Sequence, residues 1–137
     1  MSITILRFLF DFGLLVLIWI VQRIVYPGFL HYNPKNLINW HKVYTSRLTF
    51  IVMPLMLGQI GISIVQLIME INLYTVLSII IIIVIWVSTF MQFVPIHAQI
   101  AKGKASQNML DSLVKKNWIR TFLWTALFLY SMLNTDL

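Results

Sequence analysis

From Leu73 to Phe93 the chain reads LYTVLSIIIIIVIWVSTFMQF, twenty-one residues without a charged side chain. An α-helix of that length spans the roughly 30 Å hydrocarbon core of a bilayer, at 1.5 Å per residue. Three further apolar runs approach or reach the same length, so the predicted spans cover about residues 5–25, 48–69, 73–93 and 118–133. In hydrocarbon each backbone N–H and C=O must be satisfied within the segment, which makes each run a helix. Composition agrees. Sixty per cent of the 137 residues are hydrophobic and 10% are charged, against about a quarter charged in a typical soluble domain. A water-exposed surface cannot be built from such a chain, and lipid is the solvent that suits it.

The first run lacks a small-residue cleavage site and continues into Gln22, Arg23 and Tyr26, so it reads as a retained helix. Asp11 lies inside it. A carboxylate at a helix centre costs about 2.5–3.5 kcal/mol on insertion scales, which some fifteen apolar residues at about −0.3 to −0.6 kcal/mol each outweigh.

Basic residues set the expected orientation. Arg23, Lys35, Lys42, Arg47, Lys102, Lys104, Lys115, Lys116 and Arg120 belong to the first and third loops or the helix ends beside them, whereas the other side carries Arg7 alone. The positive-inside rule places those loops in the cytoplasm and both termini outside, in a plasma (inner) membrane. With a tight turn near Glu70–Asn72, the expectation is an all-α integral membrane protein: one four-helix up-down-up-down bundle over residues 1–137. Helices 2 and 4 extend on the cytoplasmic side. Asn33–Pro34 offers an N-cap and a first-turn proline, and Ser106 or Asn108 a second cap. Pro95 and Gly103 are expected to break the third helix from the fourth.

The chain has no cysteine, which excludes disulfides and thiolate metal sites. A net charge of +6 raises nucleic acid for a soluble domain. Here the cations flank apolar spans and no recognition motif accompanies them, so anionic lipid headgroups are the expected partner and nucleic acid is not.

Polar residues in a bilayer face the bundle interior. Arg7 and Asp11 are four residues apart and can pair. Gln59, Ser63, Gln66 and Glu70 form a second stripe. These sets either bond the helices together or, read functionally, make a small polar pocket or proton path centred on Asp11. At the other end His31, His41 and His97 gather with Trp40, Tyr44, Arg47, Gln92, Asn117, Trp118 and Arg120. An aromatic belt with phosphate-anchoring arginines accounts for them as architecture. As a site, His97 and His41 are candidate bases, Arg47 and Arg120 candidate oxyanion partners, and Trp40, Tyr44, Gln92, Asn117 and Trp118 a pocket for a flat, hydrophobic small molecule. The histidine spacing matches no tight metal motif. His41 and His97 would be the pair to ligate a haem, which with a quinone is the alternative cofactor. The third possibility is a scaffold subunit in a membrane complex or homo-oligomer, and Gly58 and Gly61 allow close helix contacts.

The segment FVPIHAQIAKG, followed by LVKKNWIRTFLW, resembles the small four-helix membrane proteins related to the anthrone oxygenases of polyketide pathways. The matching positions are Pro95, His97, Asn117, Trp118 and Arg120. The resemblance implies a polar cluster at one end of the bundle and cofactor-independent oxidation of phenolic tricyclic substrates by molecular oxygen. His97 or His41 would be the base, and Arg47 and Arg120 would steady the oxyanion. YPGFLHY and IVMPLML resemble the first half of small haem-binding protoporphyrinogen oxidases. The third helix lacks the histidine and lysine pattern of that family.

Overall fold

The computed structural model describes residues 1–136. Four helices account for nearly all of it: α1 (Ile3–His31), α2 (Pro34–Met69), α3 (Leu73–Ala101) and α4 (Gln107–Leu133). Among the described residues there is no strand. Helices α1, α2 and α3 are long and apolar enough to cross a membrane, and the chain is a membrane protein of the four-helix class. In α4 the polar residues Asp111, Lys115, Lys116, Asn117 and Arg120 interrupt the apolar run. Its outward residues Ile119, Phe122, Leu129 and Met132 still present an apolar face.

Local chemistry sets the helix ends. The side chains of Ser2, Asn33, Asn72 and Ser106 each accept a hydrogen bond from a backbone N–H in the first turn of the helix they precede, satisfying one of its orphan donors. At Asn72 the bond is reciprocal, since Thr75 Oγ1 accepts from the Asn72 N–H. Helix α3 stops at Gly103, whose φ of +72° suits glycine. There Gly103 N–H donates to the Ile100 carbonyl and Lys104 N–H to that of Gln99, both at 3.0 Å, closing the last turn in a Schellman arrangement.

Pro95 does not end α3 as expected. The helix widens into a π turn over Thr89–Phe93 and runs on to Ala101. Helix α1 does the same over Val21–Val25, just before Pro27. A proline ring clashes with the carbonyl four residues back and offers that carbonyl no N–H. The wider turn relieves the clash: Tyr26 N–H bonds to the Val21 carbonyl and Val94 N–H to that of Thr89, each five residues back.

Helix α1 packs on α2 and α4, and α3 closes the ring against α2 and α4. Cross-helix bonds show the alternating direction. Arg7, near the start of α1, meets Gln66 near the end of α2, and Tyr74 at the start of α3 meets Ser131 near the end of α4. Leu14, Ile18, Ile82, Ile85, Trp124 and Leu127 fill the centre with 0–2% of their surface exposed. Outward residues such as Phe12, Phe50, Ile83 and Phe122 remain exposed, as suits a surface solvated by lipid tails. Between such helices close packing and polar contacts supply the attraction. At Gly58 a β-carbon would overlap the Phe10 ring, whereas Gly61 has open space beside it. The close contact at Gly58 therefore lies within the bundle, between α1 and α2.

A buried thread of side chains ties three helices together. Trp124 Nε1 donates to Gln59 Oε1 at 3.2 Å, and Gln59 Nε2 donates to Asp11 Oδ1 at 2.7 Å. Arg7 Nε donates to Asp11 Oδ2 at 2.8 Å and Arg7 Nη1 to Gln66 Oε1 at 3.2 Å. Arg7 and Asp11 are both 0% exposed. Asp11, Arg7 and the Gln59–Gln66 stripe thus bond the helices to one another, as the architectural reading expects. Glu70 stays exposed.

Candidate functional site

Each of the two π turns is followed by a residue of one cluster. Tyr26 comes directly after the first, and His97 lies one turn past the second. They meet: Tyr26 Oη is 3.1 Å from His97 Nε2. His97 Nδ1 is in turn 2.8 Å from His41 Nε2. The two imidazoles stack at 27° with their centres 5.0 Å apart. His41 is 1% exposed, and its remaining nitrogen, Nδ1, is buried without a partner. Phe29 packs edge-on against His41 and Tyr44, which fixes the His41 ring from the side.

A neutral imidazole carries one N–H and one lone pair. The Tyr26–His97–His41 series therefore has two equivalent settings. Tyr26 donates to His97, which donates to His41; or His41 donates to His97, which donates to Tyr26. Passing one proton through the row converts one setting into the other.

This row borders a partly open cavity of about 300 Å³, at the small end of the range for small-molecule sites. Leu17, Leu48, Val52 and Met56 make its walls largely apolar. Tyr26, Tyr44, His97, Arg120 and Trp124 supply its polar groups. The cavity reaches the bundle surface between α2 and α3, where the lining residues Thr49, Phe90 and Val94 are exposed. The Arg120 guanidinium carbon lies 4.2 Å from the Phe93 ring centre and 5.2 Å from that of Trp124. Its Nε is buried with no hydrogen-bond partner.

The other candidates named from sequence lie elsewhere. Arg47 is exposed on α2 and does not line the cavity, nor does Trp40, which is 40% exposed. Gln92 accepts a bond from Ser88 Oγ at 3.2 Å, within its own helix. Asn117 is buried in a separate node, where it and Thr121 each donate to Gln22 Oε1 at 3.0 Å while Gln22 Nε2 donates to the Val114 carbonyl. Trp118 packs edge-on against Trp19 at 5.7 Å. His31 is exposed at the end of α1. Asp11 and Gln59 belong to the buried thread, joined to the cavity only through Trp124. Sequence reasoning passed over Tyr26, Phe93 and Trp124. The available signal was an aromatic residue one or two places before a proline in both α1 (Tyr26–Pro27) and α3 (Phe93–Val94–Pro95), together with the helical spacing Asn117, Arg120, Trp124 and Leu127.

Haem does not fit between the histidines. Two nitrogens sharing an iron stand roughly 4 Å apart, twice a metal–nitrogen bond of about 2.0 Å, whereas the His41 and His97 nitrogens face each other at 2.8 Å. Among the described residues no three His, Cys, Asp or Glu side chains group as a metal site.

No family model matches the chain, and neither a curated protein nor a solved structure matches it.

Proposed function

We propose that this membrane protein takes up a small lipophilic molecule from the bilayer and carries out proton transfer on it at the Tyr26–His97–His41 row. The observation that carries this reading is the pairing of a hydrogen-bonded Tyr–His–His series with an apolar cavity whose rim is exposed at Thr49, Phe90 and Val94. A ligand in the cavity would meet the Tyr26 hydroxyl. A proton leaving its acidic O–H or C–H would pass to Tyr26, as Tyr26 passes its own to His97 and His97 passes one to His41. Arg120 would hold the resulting oxyanion, and the apolar walls would keep bulk water from competing.

In the form implied by the resemblance to anthrone oxygenases, the substrate is a phenolic aromatic. The carbanion formed by proton removal reacts with molecular oxygen. A ring methylene becomes a carbonyl, one oxygen atom entering the product and the other leaving as water. In this reading the end rich in arginine and lysine faces the cytoplasm, both termini lie outside and the bundle sits in the plasma membrane.

The test is oxygen uptake by the purified protein in mild detergent across a panel of anthrones and related phenols. Uptake by the wild type that drops about 100-fold in His97→Ala and stays unchanged in Gln92→Ala is the expected result. No uptake with any member of the panel would remove the oxygenase form of the reading.

A further inference from the structure

Arg120 is a buried cation without a counter-ion of its own. The chain has four acidic residues: Asp11, Glu70, Asp111 and Asp136. Asp11 is taken by Arg7. Glu70 and Asp136 follow the far ends of α2 and α4. Asp111 lies nine residues before Arg120 on the same helix, roughly 13 Å along the axis at 1.5 Å per residue. Among the described residues Arg7–Asp11 is the one ion pair.

A guanidinium removed from water and left unpaired is costly. The Phe93 and Trp124 rings offset part of that cost through their π faces. The Tyr26 hydroxyl also lies within reach of the guanidinium. What remains is the hydrogen-bonding capacity of the guanidinium nitrogens on the cavity side, since Arg120 lines the cavity while its Nε–H is enclosed without a partner. A guanidinium presents paired N–H groups, a fork that matches the two oxygens of a carboxylate. The rest of the wall combines aliphatic and thioether surface, from Leu17, Ile18, Val52, Met53 and Met56, with the Trp86, Phe90 and Phe93 rings. Such a wall fits a flexible apolar body, since methionine adapts its shape to the occupant.

We infer that the cavity's occupant is a lipophilic monocarboxylate, its carboxylate forked on the Arg120 guanidinium and its apolar body directed to the opening between α2 and α3. The inference rests on the cavity being a lipophile site, as proposed above; the carboxylate takes the place at Arg120 that the phenolic form of that reading gives to an oxyanion. The carboxylate brings the one negative charge that the chain does not place beside Arg120, and it enters by the lipid-level opening.

The experiment places the full chain in nanodiscs of zwitterionic lipid, adds laurate or methyl laurate at equal mole fraction near pH 7.5, and counts one-to-one adducts by native mass spectrometry. The two probes share an apolar chain and differ in charge. Laurate is expected to saturate at a mole fraction at least tenfold lower than its ester, the scale of a charge-assisted hydrogen bond. Arg120→Gln is expected to remove that preference, and Arg120→Lys, which keeps the charge but not the fork, to retain part of it. Equal adducts of acid and ester in the wild type would overturn the carboxylate assignment while leaving a lipophile site standing. No adduct of either would overturn both. A preference that survives in Arg120→Gln would show that Arg120 is not the partner. The wild-type comparison stands even if a variant fails to fold.

Discussion

His97 Nδ1 lies 2.8 Å from His41 Nε2, so the C-terminal turn of α3 is bonded to the N-terminal half of α2 through two imidazoles. The contact closes the bundle at one end and sets the Tyr26–His97–His41 row beside the cavity. These roles separate experimentally. Each single variant, His41→Ala or His97→Ala, leaves its partner's ring nitrogen unsatisfied, at a cost of about 1–3 kcal/mol. The double variant is expected to cost less than the sum of the two. A double-mutant cycle on unfolding in mixed micelles reads that coupling, and strict additivity would show that the bond contributes nothing.

The Arg7–Asp11 pair is expected to respond asymmetrically. Removing Asp11 alone leaves a guanidinium at 0% exposure without its carboxylate, and Asp11→Ala should destabilise the protein by about 3–5 kcal/mol. Replacing both by apolar residues of similar size, as in Arg7→Met with Asp11→Leu, should recover most of the loss. Unfolding in mixed micelles measures both, and a double variant as unstable as Asp11→Ala would argue against a balanced buried pair.

Gly58 and Gly61 are three residues apart on one helix but have unlike surroundings. A methyl group at Gly58 meets Phe10, while one at Gly61 meets open space. Gly58→Ala should lower stability by about 1–3 kcal/mol through overpacking, and Gly61→Ala should not. Adding Phe10→Leu to Gly58→Ala tests the cause, because relieving the ring should restore part of the loss. Equal behaviour of the two glycine variants in thermal unfolding would refute the α1–α2 contact.

Pro95→Ala restores the N–H that the Met91 carbonyl lacks in α3. With no ring to accommodate, the π turn at Thr89–Phe93 loses its cause and the helix can return to regular α geometry. His97 would then rotate relative to Tyr26 and His41, since removing a π bulge shifts the register by one residue, about 100° of helix. Ligand binding or turnover at the cavity is expected to drop at least tenfold while thermal stability holds or rises. Unchanged binding in a stable Pro95→Ala protein would mean that the π turn does not set His97.

What could be read from the sequence followed from local rules. Asn33 and Ser106 cap helices as their side-chain chemistry requires. Arg7 pairs with Asp11 because four residues make about one helical turn. Gln59, Ser63 and Gln66 share a buried stripe for the same reason. What was not legible depends on which helix stands opposite. Arg47 and Arg120 are equally cationic in sequence, yet Arg47 lies on the outward side of α2 and Arg120 faces the cavity. Trp118 and Trp124 are six residues apart on α4, and only Trp124 lines the cavity. Periodicity gives the faces of a helix but not the neighbour each face meets. The two π turns add an offset that a 3.6-residue pattern does not include, so Tyr26 and His97 were not paired by spacing.

The thread from Trp124 through Gln59, Asp11 and Arg7 to Gln66 has an electrical consequence. It joins three helices, and every link is 2.7–3.2 Å, yet it is a poor wire for protons. The indole N–H of Trp124 has no lone pair with which to receive one, and a guanidinium does not give one up. The thread therefore couples the helices mechanically while offering no continuous proton path from Gln66 to the cavity at Trp124.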